Sequence, residues 1–341
     1  MIIGAGLAGL TCAQLLAATA VSVTVVDKGR GSGGRLATRR LDDESFDSGT
    51  QFFSVRDSDF AAAVQVWEAA GVVKAWCDGF PLLGAPASVG DGHPRYLALG
   101  GMNRLAKHVA GGREVRDQLT VTKLVPIAGR WQVRAEAGDG AKMATAVVGP
   151  VHIFTVDAVV VTAPGPQAAH LLQSSGLAVD PRLRAMRYAA CCCLLLNFPQ
   201  AEGPLLPAPG GLRVEDDPVV SWIASQRSKG LRTSGDGLVV HTTPAWSAEH
   251  YAKTDDDILA KLRPAVAAVL ARAGITATPS NVQLKKWRYS LPTVMIEEPF
   301  LRVDGSAPLL IAGDSCGGRP RLEGAWMSGR AAALALLEEL L

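Results

Sequence analysis

The stretch "MIIGAGLAGLTCAQLLAATAVSVTVVDKGRGSGGRL" (residues 1–36) decides how this chain is read. No charged side chain precedes Asp27, and five basic residues follow before position 41. An apolar run of that length is enough to cross a bilayer, and "ATAVS" looks like a small-residue cleavage site. Three features oppose export. No basic region precedes the run, glycines at 4, 6 and 9 with Thr11, Gln14, Ser22 and Thr24 interrupt it, and its period changes midway. "MII" and "VSVTVV" are β-branched and strand-like, whereas "LAGLTCAQLLAA" has the composition of a helix. Strand, glycine turn, helix, strand and acid make a βαβ unit.

Working outward, 341 residues exceed one simple core, so two domains are expected. A hydrophobic content of 48% with 19% charged residues describes a folded, soluble chain. A net charge of +2 gives no general affinity for nucleic acid or anionic membrane, and no other apolar run reaches spanning length. The six cysteines (12, 77, 191, 192, 193 and 316) form no CxxC pair and no CxxxxC redox pair. They read as small buried hydrophobes in a reducing cytoplasm. The scattered histidines show no metal-binding spacing, so no metal is expected.

Residues 57–76 read as a helix with apolar positions near 60, 64, 67 and 71, and "GGMNRLAKHVAGG" (100–112) as a second helix between glycines. "EVRDQLTVTKLV" and "GRWQVRAEAG" alternate like strands of an antiparallel meander, continued by "TAVVGPVHIFTVDAVVVTAP". "DAVVVTAP" and "PLLIAGDS" are apolar on both faces, as buried parallel strands are. "RLEGAWMSGRAAALALLEELL" is a long helix. Nucleotide-binding elements thus lie at both ends of the chain and near residue 160, and the domains must be discontinuous.

Gly4-x-Gly6-x-x-Gly9 after a strand and before a helix is the dinucleotide fingerprint. The first glycine permits the tight turn, the second lets backbone approach a pyrophosphate, and the third lets helix pack on strand. The helix N-terminus then faces the phosphates. Asp27, 23 residues after Gly4, suits an adenosine ribose. Beyond it, Gly33, Gly34 and Arg35 add a second glycine pair and a cation for a pyrophosphate, which favours FAD over NAD. Lys28 lies beside this acid. Arg39 and Arg40 read as a solvated basic face. Near the other end, Gly313-Asp314 closes a strand, and the aspartate suits a ribityl chain. A helix beginning near Gly324 would aim its amides at the flavin edge. No second GxGxxG follows a strand, so no separate NADPH fold is expected.

"DKGRGSGGR", "DSGTQFF", "RYLALGGMNRLAKHVA", "SWIASQRSKG", "HTTPAWSAEH", "KKWRYS", "GDSCGG" and "EGAWMSGRAAA" together resemble the renalase branch of FAD-dependent amine-oxidase-like flavoproteins, over nearly the whole chain. The resemblance implies an α/β, two-domain fold of the p-hydroxybenzoate hydroxylase type. A Rossmann-type FAD-binding domain (1–56, 95–165 and 300–341) would accompany a mixed-sheet substrate domain (57–94 and 166–299). FAD would be bound non-covalently by Gly4, Gly6, Gly9, Asp27, Lys28, Gly34, Arg35, Gly313, Asp314 and the turn of Glu323, Gly324, Ala325 and Trp326. The backbone of Val121 would meet the adenine, and Gln51 and Phe52 the isoalloxazine. His241, Trp246, Trp287 and Tyr289 would line or support a substrate pocket between the domains.

The implied reaction takes a hydride from dihydro-NAD(P) isomers to flavin N5 and passes the electrons to O2, giving NAD(P)+ and H2O2. Placement and electrostatics are the protein's task in such a step. The alternatives are a flavin amine oxidase or desaturase-like oxidase on another small substrate, and, in a different class, a protein that binds FAD without turnover. Two departures from the pattern stand out. Only three residues precede Gly4, so either the native chain starts upstream of Met1 or the sheet accepts a shortened strand. "CCC" also occupies positions where a bulkier residue is expected.

Overall fold

A computed structural model describes residues 1–85, 92–138 and 150–340. The chain divides into two compact units, one of Met1–Arg35, Ala106–Arg187 and Pro292–Leu341, the other of Leu36–Leu105 and Tyr188–Leu291. Both are discontinuous, and their boundaries differ from those expected. Residues 36–56 and 95–105 join the second unit, because Leu41 and Phe46 pack with Cys193, Leu195 and Val239. Residues 166–187 join the first, where Ala168, Leu171, Leu172, Leu183 and Met186 enter its core.

The first unit is built on a six-stranded sheet. Its order is Leu301–Arg302, Leu309–Ile311, Val159–Val161, Ile2–Ile3, Val25–Val26 and Val115–Arg116. All pairs are parallel except the outermost, Leu301–Arg302 against Leu309–Ile311. Val159, Val160 and Val161 are buried, as a strand covered on both faces requires. The strand expected across "VSVTVV" shrinks to Val25–Val26, and of the residues before it the Thr24 carbonyl still accepts from the amide of Ile2 (2.8 Å).

The Leu7–Leu16 and Arg321–Leu340 helices cross closely in this unit, because a Cβ on Gly329 would stand 2.1 Å from the carbonyl oxygen of Ala8. The meander holds for Leu119–Ile127, Arg130–Ala137 and Val151–Val156, which pair antiparallel with a register shift at Arg134/Ala135. Its expected stretch at 145–149 lies outside the described residues. Trp131 locks the meander to the main sheet's edge loop, its indole donating to the carbonyls of Ala307 (3.3 Å) and Pro308 (3.2 Å).

In the second unit, five strands run in the order Gly211–Arg213, Val220–Ser225, Asp236–Thr242, Arg187–Phe198 and Asn281–Val294. The pairings across Asp236–Thr242 are antiparallel, and a parallel bridge joins Leu82 to Arg213 at the edge. Alternation gives the sheet two faces. Cys192, Leu194, Leu196, Ile223, Leu238 and Val240 pack on one side with Ile258, Leu262, Val266 and Val269 of the Asp255–Arg272 helix. Cys193, Leu195 and Val239 pack on the other side, under the Thr38–Leu41 and Glu44–Asp47 hairpin. The cysteine run is therefore a sheet-centre strand whose thiols fill tight space on alternating faces, and all three are buried.

The helix expected over 57–76 is shorter. It spans Ser58–Ala69, capped by Asp57 Oδ1, which accepts from the amides of Asp59 (2.9 Å) and Phe60 (3.2 Å). Gly71, at φ +65°, turns the chain out of the helix and into the Val73–Cys77 strand. The long helix near the other end starts at Arg321, three residues before Gly324.

The helix crossing gives a direct test. Gly329→Val places a methyl-bearing carbon into backbone that cannot yield, at a cost expected to reach or exceed about 3 kcal/mol. Gly203→Ala, whose Cβ meets nothing within 4 Å, should stay within about 0.5 kcal/mol of wild type. Thermal unfolding of both variants checks the pair.

Candidate active site

In the first unit the three fingerprint glycines take three different roles. Gly4 has φ +114°, and a Cβ there would lie 2.6 Å from Thr162 Oγ1, a hydroxyl that donates to the carbonyls of Ile3 and Gly4. A Cβ on Gly9 would lie 2.0 Å from the carbonyl oxygen of Gly4. Gly6 differs, because its conformation (φ −75°, ψ 177°) suits any residue and a Cβ would meet nothing within 4 Å. Gly6 therefore keeps a space open in front of a helix start that carries no side-chain cap. Uncapped amides at the positive end of a helix suit a diphosphate.

Asp27 ends the Val25–Val26 strand. Its Oδ2 accepts from the amide of Ala5 (2.7 Å) and its Oδ1 from that of Gly29 (2.6 Å). The carboxylate is thus fixed across the glycine turn, with lone pairs left for ribose hydroxyls. The amide of Gly33 donates to the carbonyl of Ala5 at 2.7 Å, which brings the second glycine pair onto the first turn. Gly34, at φ +53°, starts a short turn that presents Arg35. Arg35 grips Asp314 with two hydrogen bonds, of 2.6 and 2.7 Å. Sequence reasoning placed these two residues on different parts of a cofactor, and the structure joins them.

Gly313 is held by Ser328, whose hydroxyl accepts from its amide (2.8 Å) and donates to the carbonyl of Pro299 (2.6 Å). Gly324 and Trp326 are buried in the first turns of the Arg321–Leu340 helix, with Glu323 and Ala325 half-buried beside them. Because that helix starts at Arg321, Gly324 lies inside it and not at its start. Val121 is half-buried on the meander, opposite Ala135. Lys28 is exposed beside Asp27.

In the second unit the hub is a residue that sequence reasoning missed. Asp47 is fully buried, and its Oδ2 pairs with the equally buried Lys229 Nζ at 2.5 Å. Its Oδ1 accepts from Thr38 Oγ1 (2.7 Å) and the amide of Met102 (2.8 Å), while its own amide donates to Gln226 Oε1 (3.0 Å). Burial pulls the Lys229 ammonium below the usual lysine range, against the opposing pull of Asp47. This pair anchors the segment that carries Gln51 and Phe52. Gln51 Nε2 donates to the carbonyls of Asp47 and Gly49, leaving a buried Oε1 without a partner among the described residues.

Phe52 packs among Trp76, Phe80 and Trp222, with ring centroids 6.4, 4.8 and 5.5 Å away. Trp222 pairs across strands with His241, which in turn pairs with Cys193. Trp222 Nε1 and His241 Nε2 are also buried without a partner among the described residues. Burial, reinforced by the nearby Lys229 charge, pushes His241 down to about 4, so the imidazole is neutral at pH 7. Trp287 packs on this same face with Cys193 and Val239, and its indole donates to the carbonyl of Ser48 at 2.7 Å. Tyr289, two residues along, shares the face by alternation and meets Tyr188 edge-on at 5.6 Å.

Trp246 stands apart from that set. It stacks on His250 (4.2 Å, 10°) and packs into the core on the helix side of the sheet. Its motif does carry a structural device, Thr243, whose hydroxyl accepts from the Trp246 amide to cap the Pro244–His250 helix.

Comparison with known proteins now bears on both units. Residues 2–68 match an NAD(P)-binding Rossmann-like domain, and residues 87–337 match the family described as flavin containing amine oxidoreductase. The chain belongs to the flavin containing amine oxidoreductase family. Among solved structures it is similar to a protein of Exiguobacterium sp. 255-15 designated a protoporphyrinogen oxidase. That match has a TM-score of 0.71, 14% identity, and 99% of this chain and 98% of that one covered. It is similar to a putrescine oxidase solved with putrescine (TM-score 0.68, 13% identity, 99% and 98% covered). It also matches a hydroxyneurosporene desaturase of Rubrivivax gelatinosus at 44% identity over 66 residues, which span 13% of that protein.

As a member of this family the chain is an FAD-dependent oxidoreductase, with a Rossmann-like domain and an α/β fold that includes a mixed sheet. The first unit fits that cofactor. Gly6 leaves the space a diphosphate needs, Asp27 and Asp314 offer acceptors for hydroxyls, and Arg35 offers a cation beside them. Bound there, FAD supplies the two-electron oxidation, and the protein supplies its orientation and surroundings. Among the described residues no helix is long and apolar enough to cross a membrane.

Two predictions separate binding from folding and test the electrostatics. Gly6→Val should keep the FAD-free protein within about 1 kcal/mol of wild type yet abolish the yellow flavin absorbance, whereas Gly9→Val should not fold. Urea unfolding and visible spectra distinguish them. His241 has a folded pKa below its ordinary value, so the unfolded chain takes up the proton first. Its contribution to stability is present above about pH 6.5 and fades towards about pH 4, a loss of about 2–3 kcal/mol. His241→Gln should remove that part of the slope in urea titrations across the same pH range.

Proposed function

We propose that this flavoenzyme is a renalase-like oxidase of dihydro-NAD(P) isomers, returning NAD(P)+ and reducing O2 to H2O2. In this reading FAD is held non-covalently in a two-domain fold of the p-hydroxybenzoate hydroxylase type. Gly4, Gly6, Gly9, Asp27, Lys28, Gly34, Arg35, Val121, Gly313, Asp314 and the 323–326 turn hold it, and the protein works in the cytoplasm. The balance is a dihydropyridine, O2 and one proton giving a pyridinium and H2O2. A C–H bond breaks with both electrons leaving as the ring becomes aromatic, so no O–H or N–H proton has to be abstracted.

The observation that carries the reading is the character of one face in the second unit. Phe52, Trp222, Trp287 and Tyr289 supply aromatic surface, His241 is neutral, and Lys229 neutralises the buried carboxylate of Asp47. Gln51 Oε1 and Trp222 Nε1 offer an unused acceptor and an unused donor. Such a surface suits a flat, uncharged heterocycle bearing an amide better than an alkylammonium ion, which needs an uncompensated acid. Trp246 supports this face from the other side of the sheet.

Anaerobic titration of the yellow holoenzyme tests the proposal. Micromolar dihydro-NAD isomers are expected to bleach the flavin within seconds. Bleaching by putrescine or another small amine instead would favour an amine oxidase, and bleaching by neither would leave a protein that binds FAD without turnover.

A further inference from the structure

Two cations in the second unit share a face and have no acidic partner among the described residues. Arg39 sits on the Thr38–Leu41 strand, where alternation puts it on the side of Leu41, and Leu41 packs with Phe46, Cys193 and Trp287. Lys285 sits on the Asn281–Val294 strand, two residues before Trp287, and its Nζ lies 4.6 Å from the centroid of the Trp287 ring. The Trp287 indole is tied to the carbonyl of Ser48, so the ring offers Lys285 a fixed surface.

Three nearby cations are balanced by acids. Lys286, facing the other way, pairs with Asp255 at 2.8 Å, Arg232 pairs with Glu44 at 3.4 Å, and Lys229 pairs with Asp47. Lys285 instead lies within the field of the Arg39 charge. Burial and then the Arg39 charge draw the Lys285 ammonium below its ordinary range. Like charges brought together on a half-buried aromatic surface are unfavourable unless an anion joins them.

We propose that Arg39 and Lys285 form a phosphate subsite that recognises the phosphorylated part of a dinucleotide substrate. This assignment rests on the dihydro-NAD(P) reading and names the group that would tell a dinucleotide from a phosphate-free substrate. Arg39 offers a planar fork for phosphate oxygens, and Lys285 offers a point charge backed by the Trp287 ring. The solvated basic face expected for Arg39 from sequence becomes a recognition element, because strand register turns that side chain towards Trp287.

The test uses FAD-loaded protein and calorimetric titration with NADP+, which cannot be oxidised further. Lys285→Met keeps the apolar stem on Trp287, and Arg39→Met removes an exposed charge. Each is expected to weaken NADP+ binding by at least about tenfold and to change nicotinamide riboside binding, which involves no phosphate, by less than about twofold. NADP+ should outbind inorganic pyrophosphate by at least about tenfold, and added salt should erode its affinity in wild type more than in either variant. Unchanged NADP+ affinity in both variants, equal affinity for pyrophosphate, or no NADP+ binding to wild type would overturn the subsite. Failure of the oxidase reading has a separate signature, a flavin that dihydro-NAD(P) isomers do not bleach while NADP+ still binds through Lys285.

Discussion

The contact on which the first unit depends is the approach of one backbone to another at Gly9. With 2.0 Å between the Gly4 carbonyl oxygen and any Cβ at that position, the Leu7–Leu16 helix can lie against the Ile2–Ile3 strand only if residue 9 has no side chain. That approach sets the helix start at the carboxyl end of a central strand and lets Asp27 reach back to the amide of Ala5. A second bare position, Gly329, then lets the Arg321–Leu340 helix cross the first. Segments more than 300 residues apart in sequence are thereby brought to one cofactor-sized turn. The hydrophobic core supplies most of the stability, but the glycines decide where the helices can go.

The second unit answers a different problem, which is how to place a loop inside a protein without leaving its polar groups unsatisfied. Asp47 solves it by taking bonds from a lysine, a hydroxyl and a backbone amide at once. A buried ion pair adds little net stability, yet loss of one partner leaves an uncompensated charge. Such a pair is better at holding one geometry than at raising stability. It fixes residues 47–52 so firmly that Gln51 spends its amide nitrogen on the chain itself and keeps its oxygen free.

Much of the first unit was legible in the sequence, since its logic is local. Gly4, Gly6, Gly9 and Asp27 lie within one βαβ unit, and their spacing encodes their roles. The triple-valine strand was legible from its apolar faces. The joining of Arg35 to Asp314 was not, because 279 residues separate them and only the folded sheet brings them together. Asp47 and Lys229 each sit inside a recognisable motif, but nothing in either motif names the other. The motif around Trp246 did not say that this residue would sit in the Pro244–His250 helix, packed on the helix side of the sheet. The early end of the helix after Ala69 was signalled by Gly71, whose weight against a continuing apolar pattern is hard to judge without the following strand.

The three adjacent cysteines have one more consequence. Burial pushes Cys191 up to about 12 and Cys192 up to about 11, and carries Cys193 well above its ordinary value. For Cys192, only about one molecule in ten thousand is then a thiolate at neutral pH. Peroxides and alkylating agents attack the thiolate, so the row of sulfur atoms at the heart of the sheet is chemically quiet. An oxidoreductase can thus carry sulfur at the centre of a sheet without that sulfur entering its redox chemistry.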